Sequence, residues 1–310
     1  MASLPNRIAQ LLLIALLLPT PALSADSMIR LTDDRGHTLR LSEPATRPAA
    51  ISTFGADVAL ALGRTPIAVT DYGVSGVPDY LASQLASASG LGPRHQPNLE
   101  VLSAVDPDLI IGIRRYTQKD SNQIAAIAPL LALDLITVDD SIRAVALAGQ
   151  ALGATDKAST LNRRFLSQIQ RLEERSSADD KPTVALLTSG SETPFLYYDH
   201  FLPTALLEAM NFDHVGGAPP NPDSGIPLGY RINLEALLTL DPDIILLLPT
   251  SRQRAFTMNP IWPYLSAVRN NDVHEVPHYW KEGAGPIART LILEDIERLL
   301  LSGTPSGPVQ

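Results

Sequence analysis

Apolar positions along the chain follow two alternating rhythms, short unbroken runs and steps of three or four residues. Leu109–Ile113 and Ile244–Leu248 are continuous runs of strand length, the pattern of parallel strands covered on both faces. A short amphipathic stretch precedes each: Leu99, Leu102 and Val105 before the first, Leu234, Leu237 and Leu240 before the second. Asn98 and Asn233 occupy the N-cap position of these helices, where a side-chain oxygen accepts an otherwise orphaned backbone N–H. Asp106 and Asp241 each precede proline, which disfavours α geometry and ends the helix. Helix, turn and strand form one repeated unit, because Asn98–Ile111 recurs as Asn233–Leu246 after 135 residues. That offset far exceeds the roughly 20–50-residue period of solenoid arrays. It implies two similar lobes.

The alternation continues around both copies. Ala49–Thr53, Ile67–Thr70, Leu135–Val138, Thr183–Leu187 and Val273–Val276 read as strands. Ala56–Leu62, Thr204–Met210, Ile261–Val268 and Leu291–Leu301 read as helices, with Gly63 as a C-terminal stop and Asn259-Pro260 as a start. Between the halves, Ala158, Leu161, Phe165, Ile169 and Leu172 keep helical spacing over Asp156–Ser176, with Thr155 as a candidate cap. Residues 176–182 read as a linker, and Gly216–Gly229 as a loop. The fold class expected is α/β: two similar lobes with mainly parallel sheets joined by one long helix, with a ligand cleft between them.

Residues 1–25 have the pattern of a secretory signal: Arg7, an apolar run from Leu11 to Leu18, then Ala22, Ser24 and Ala25 as small residues suited to cleavage. The domain division expected is 1–25 for the leader, 26–154 for the first lobe, 155–181 for helix and linker, and 182–310 for the second lobe. The apolar run is too short to span a bilayer, and no cysteine follows it to carry a lipid, so a soluble, exported, periplasmic protein without a lipid anchor is expected. With 45% hydrophobic and 18% charged residues the chain can build a sizeable core, and a net charge of −9 argues against a nucleic-acid partner. Zero cysteines exclude disulfides, thiolate metal sites and thiol nucleophiles.

The chain resembles the periplasmic binding proteins that deliver ferric siderophores and cobalamin to ATP-driven importers. The resemblance rests on Leu31-Thr32-Asp33-Asp34-Arg35-Gly36, the two Asn-Leu-Glu segments, and Val276-Pro277-His278-Tyr279-Trp280. Gly92-Pro93-Arg94-His95-Gln96-Pro97-Asn98-Leu99-Glu100 is most similar to the ferric-hydroxamate branch. What this implies is a monomer that binds a ferric siderophore between its lobes, without catalysis, cofactor or metal ligands of its own, and delivers it to a dimeric permease.

On that reading Arg94 matches an arginine pointing into the cleft, where its planar fork suits carboxylate or hydroxamate oxygens. Tyr116, at the carboxyl end of the Leu109–Ile113 strand, matches a cleft tyrosine, and Arg115 or Arg114 beside it can face the ligand. Trp280 matches a cleft tryptophan, with core packing as the competing account. Tyr230 and Arg231 stand before the second Asn-Leu-Glu copy, although Pro227-Leu228 replaces the tryptophan expected of a hydroxamate binder. A carboxylate-type chelate therefore competes with a hydroxamate. Tyr197 and Tyr198 rank lower, since alternation turns only one of them toward the cleft.

Glu100 and Glu235 sit in the first turns of the repeated helices, where a carboxylate suits the helix dipole. The resemblance also makes them the posts that dock on the permease. Cobalamin and haem are the alternative ligands. An exported hydrolase is the alternative class, but the chain holds no Gly-x-Ser-x-Gly and no His-Glu-x-x-His, and Thr188-Ser189-Gly190-Ser191 is only a serine-rich turn. The six histidines show no metal-site spacing.

Overall fold

The computed structural model describes residues 28–71, 76–176, 181–188, 193–221, 227–249 and 254–301. The leader and the Ser189–Ser191 turn lie outside them. In chain order the elements begin β1 (Ile29–Thr32), β2 (Thr38–Leu41), β3 (Pro48–Ala50), α1 (Thr53–Leu62), β4 (Ala68–Asp71), α2 (Asp79–Ala82), β5 (Ser89–Pro93) and α3 (Leu99–Ala104). Next come β6 (Leu109–Ile113), α4 (Arg114–Thr117), α5 (Ser121–Ile127), β7 (Leu130–Leu133), α6 (Val138–Ala151) and α7 (Thr155–Glu173). The second half holds β8 (Thr183–Thr188), β9 (Phe195–Tyr197), α8 (Leu202–Ala209), β10 (Asp213–His214), β11 (Gly229–Arg231) and α9 (Leu234–Leu240). It ends with β12 (Ile244–Leu247), α10 (Ser266–Arg269), β13 (Val273–Glu275) and α11 (Pro286–Ile296).

The first sheet runs β5-β4-β3-β6-β7 and every pair in it is parallel. In the second sheet β8, β12 and β13 are parallel, while β9 and β11 add an antiparallel edge. Strand β6 is buried at every position, as its unbroken apolar sequence requires.

The repeated segment performs the same structural task twice. Asn98 Oδ1 accepts the N–H groups of Glu100 and Val101, and Asn233 Oδ1 accepts that of Ala236. Asp106 and Asp241 leave their helices in left-handed geometry, at φ 50° and 39°. Two residues on, Asp108 accepts the N–H groups of Thr46 and Arg47, and Asp243 accepts that of Thr183. Each of these aspartates therefore pins the start of the neighbouring strand in its sheet.

Four local expectations are corrected. The strand expected at Leu135–Val138 lies earlier, at β7, because Thr137 and Asp140 form a reciprocal capping box that starts α6 at Val138. Ile261–Val268 is not one helix. Trp262–Tyr264 forms a 3-10 turn, Leu265 is extended, and only Ser266–Arg269 is α-helical. The long helix is capped by Ala154 rather than Thr155, without a side-chain bond. The closing helix begins at Pro286, five residues before Leu291.

The opening Leu31–Gly36 segment forms the turn of the β1–β2 hairpin. Asp33 accepts the N–H groups of Arg35, His37 and Ala132, and so fixes the turn to β7.

More than α7 joins the halves. One continuous apolar core takes Phe54, Val58 and Leu62 from the first half and Leu206, Trp280 and Ile292 from the second. Asp57 of α1, fully buried, accepts the first N–H groups of α11 from Ile287 (2.8 Å) and Ala288 (2.9 Å), and the Tyr80 hydroxyl (3.1 Å). Buried Arg289 donates to Ser141 Oγ (2.9 Å) and Asn162 Oδ1 (2.7 Å) and stacks over Phe165. These bonds satisfy polar groups that would otherwise be stranded in the core.

Candidate functional site

The carboxyl ends of the parallel strands place the candidate ligand residues, the usual location in open α/β sheets. Beyond β5, with Gly92 in left-handed geometry (φ 70°), the chain turns at Arg94. Beyond β6 the single turn α4 carries Arg114, Arg115 and Tyr116, fastened by the Thr117 hydroxyl donating to the Ile113 carbonyl (3.1 Å). Two guanidinium groups then converge on one ring. The carbon of Arg94 lies 4.6 Å from the Tyr116 centroid and that of Arg115 lies 4.8 Å from it. Such cation–aromatic contacts are worth about 0.5–2 kcal/mol each. Arg114 is diverted, bonding Asp134 at 2.7 Å, so Arg115 is the member of the pair that joins the cluster.

The electrostatics follow. Burial would raise the Tyr116 phenol, but the charges of Arg115 and Arg94, a hydrogen bond with Arg115 and the charge of Lys281 outweigh it and bring the value below normal. Lys281 is held below the ordinary lysine range by desolvation and by Arg94. Burial, then Tyr116, pushes the Tyr197 phenol up, against the pull of Arg115 and Arg94. Arg94, Arg115 and Tyr116 of the first half therefore share a field with Tyr197 and Lys281 of the second. The arrangement offers fixed aromatic surface and three cations, a match for a bulky anion.

Sequence reading missed Lys281 altogether and ranked Tyr197 low. Alternation along β9 does divide the adjacent tyrosines. Tyr197 stacks on Phe201 at 4.8 Å, while Tyr198 meets Tyr230 at 5.3 Å. Tyr230 and Arg231 lie on the edge strand β11, and no contact joins them to the Arg94–Tyr116 cluster among the described residues. Arg231 is exposed.

Trp280 is corrected. It is fully buried, and its indole N–H donates to Asp295 Oδ2 at 2.9 Å, with the Tyr279 hydroxyl on the same oxygen at 2.6 Å. The 3-10 turn His278–Glu282 packs against α11, so the ring fills the core instead of facing a ligand.

Glu100 and Glu235 are both exposed at the second position of their helices, one in each half, and neither is in an ion pair among the described residues. Among those residues no helix is long and apolar enough to cross a membrane.

Two α/β halves, with two guanidinium groups gathered on the Tyr116 ring at the carboxyl end of one sheet, set the frame for comparison with known proteins. The chain belongs to the periplasmic binding protein family, which it matches over residues 49–279. It is 26% identical over 299 residues to a putative ABC transporter substrate-binding lipoprotein of Bacillus subtilis, covering 89% of each chain. It is 27% identical over 256 residues to the achromobactin-binding periplasmic protein of Dickeya dadantii, covering 78% of this chain and 82% of that one. Its fold is similar to Staphylococcus aureus SirA complexed with staphyloferrin B, at TM-score 0.72 and 19% identity, over 87% of this chain and 98% of that one.

Proposed function

We propose that the protein captures a ferric siderophore between its lobes and delivers it to the membrane permease of an ABC importer. The observation that carries this reading is the convergence of Arg94 and Arg115 on Tyr116, with Lys281 of the second half adding its charge to the same field. Guanidinium groups donate paired hydrogen bonds to the oxygens of an anionic chelate. Iron arrives already saturated by its chelator, so the protein supplies no metal ligand and performs no chemistry. The Dickeya relative, an achromobactin-binding protein, supports the same ligand class. Three cations favour an anionic, carboxylate-bearing chelate over neutral cobalamin.

We assign Glu100 and Glu235 to permease docking. Two exposed carboxylates on equivalent helices of a duplicated fold suit a symmetric dimeric partner.

Isothermal titration with ferric citrate, a ferric trihydroxamate, cyanocobalamin and haemin tests the ligand class. Saturable binding of one or both ferric chelates, without turnover, is the expected result. Binding of cobalamin or haemin alone would overturn it.

A further inference from the structure

A groove of about 850 Å³ runs along the seam between α7 and α11, with Ala61 of α1 at one end, and it shares no residue with the Arg94 cluster. Its volume falls within the roughly 300–1,000 Å³ of small-molecule sites. The floor is apolar, built by Leu161 and Phe165 from α7 and by Ile287 and Leu291 from α11. Along one wall stand Arg163, Arg164 and Arg171. Arg164 and Arg171 are seven residues apart on α7, two turns along one stripe of the helix.

The charge of this wall is out of keeping with the rest of the chain. Net charge is −9, yet no carboxylate lines the groove. Other cations of the same seam are neutralised or packed away: Arg175 pairs with Glu297, and Arg289 is buried on Ser141 and Asn162. Arg163 bonds only the hydroxyls of Ser159 (3.0 Å) and Thr160 (3.1 Å) on its own helix. Arg164 and Arg171 take no carboxylate partner among the described residues.

We propose that this groove is a second binding site, for a small amphiphilic anion. An acyl-type body lies against Phe165, Ile287 and Leu291, and a single carboxylate is held by Arg164 and Arg171. Burying the chain supplies the apolar drive, and the guanidinium pair supplies charge-assisted hydrogen bonds to the head. A concave groove between two helices takes one chain at a time, which distinguishes this occupant from a bilayer surface. Because Ile287 also donates its N–H to Asp57, an occupant of the groove touches the contact that holds α11 to α1.

Isothermal titration of the full chain with dodecanoate, below its micellar concentration, tests the site. Saturable one-to-one binding is expected, with dodecanol and acetate each at least tenfold weaker. The Arg164→Ala/Arg171→Ala variant changes only exposed side chains and should lose at least tenfold in dodecanoate affinity while its circular dichroism is unchanged. Leu291→Glu, which places a carboxylate on the facing wall, should abolish binding if the double variant fails to fold. Absence of saturable dodecanoate binding would overturn the proposal. So would equal affinity for dodecanol, undiminished binding by the variants, or displacement of dodecanoate by ferric chelate, which would put it in the cleft.

Discussion

The Arg94 guanidinium lies 4.6 Å from the centre of the Tyr116 ring, although the two residues follow different strands, β5 and β6, that are not paired with each other. Strand β5 sits next to β4 and β6 sits two places from it, with β3 between β4 and β6. Because the strands are parallel, both loops leave the sheet at its carboxyl end, where the Arg94 guanidinium meets the aromatic ring. Arg94→Ala should weaken binding of an anionic ferric chelate about 10–100-fold, the value of one charge-assisted hydrogen bond at ~1.5–3 kcal/mol. Titration calorimetry on variant and parent checks this. Arg114→Ala, which removes a group tied to Asp134, should change affinity less than threefold.

Reversing both docking charges separates delivery from capture. The Glu100→Lys/Glu235→Lys variant should bind its ferric chelate within about twofold of the parent, because neither carboxylate approaches Tyr116, yet support no iron uptake in cells. Iron-dependent growth of a strain carrying only the variant is the measurement. Normal growth would remove the docking role.

Asp57 makes stability depend on pH in a defined direction. Burial pushes its carboxyl from 3.8 to about 6, against the lowering effect of the Ile287 and Ala288 N–H groups, Tyr80 and Arg289. A folded value above the unfolded one means that the contribution is complete below about 3.8 and is lost as pH rises through about 6. Between pH 4 and 7 the parent should therefore lose on the order of 3 kcal/mol or less relative to Asp57→Asn, which has no such titration. His214, which burial pushes down to about 4, acts in the opposite sense: its contribution is present above 6.5 and lost as pH falls toward 4. Because both proteins share His214, the difference between their urea-unfolding free energies isolates Asp57.

The Asp57 contact also leaves no room at Gly285. A β-carbon there would lie 2.3 Å from Asp57 Cγ, a carboxyl already held by three hydrogen bonds. Gly285→Ala should cost about 1–3 kcal/mol through overpacking and lower the thermal midpoint without touching the ligand site. An unchanged midpoint would show that α11 can shift away from α1.

Trp280→Phe removes the indole donor to Asp295 and should destabilise the fold by about 1–3 kcal/mol while leaving ligand affinity unchanged. Calorimetric unfolding and ligand titration on the same variant test both halves of that expectation. A large loss of affinity in a stable protein would return Trp280 to the ligand site.

Local chemistry made the repeat legible. Asn98 and Asn233 announce their helices, and Leu109–Ile113 announces a strand, because cap and apolar run act on neighbouring residues. Leu135–Val138 misled because apolar residues there belong to the approach to a capping box, whose partner Asp140 outweighs β propensity. Trp280 misled because a large aromatic after a strand end serves a cleft or a core equally well, and only α11, with Asp295, decides between them. The Asp57–Ala288 bond spans 231 residues and leaves no periodic trace. Lys281 lay beyond reach for the same reason: its proximity to Arg94 and Tyr116 is set by the packing of one half on the other.

A crystal structure with whichever ferric chelate binds tightest addresses the mechanism of capture most directly. Electron density for the chelate should lie between Arg94, Arg115 and Tyr116 on one side and Tyr197 and Lys281 on the other, with guanidinium nitrogens within hydrogen-bonding distance of its oxygens. A chelate bound elsewhere, with those side chains facing solvent, would contradict it.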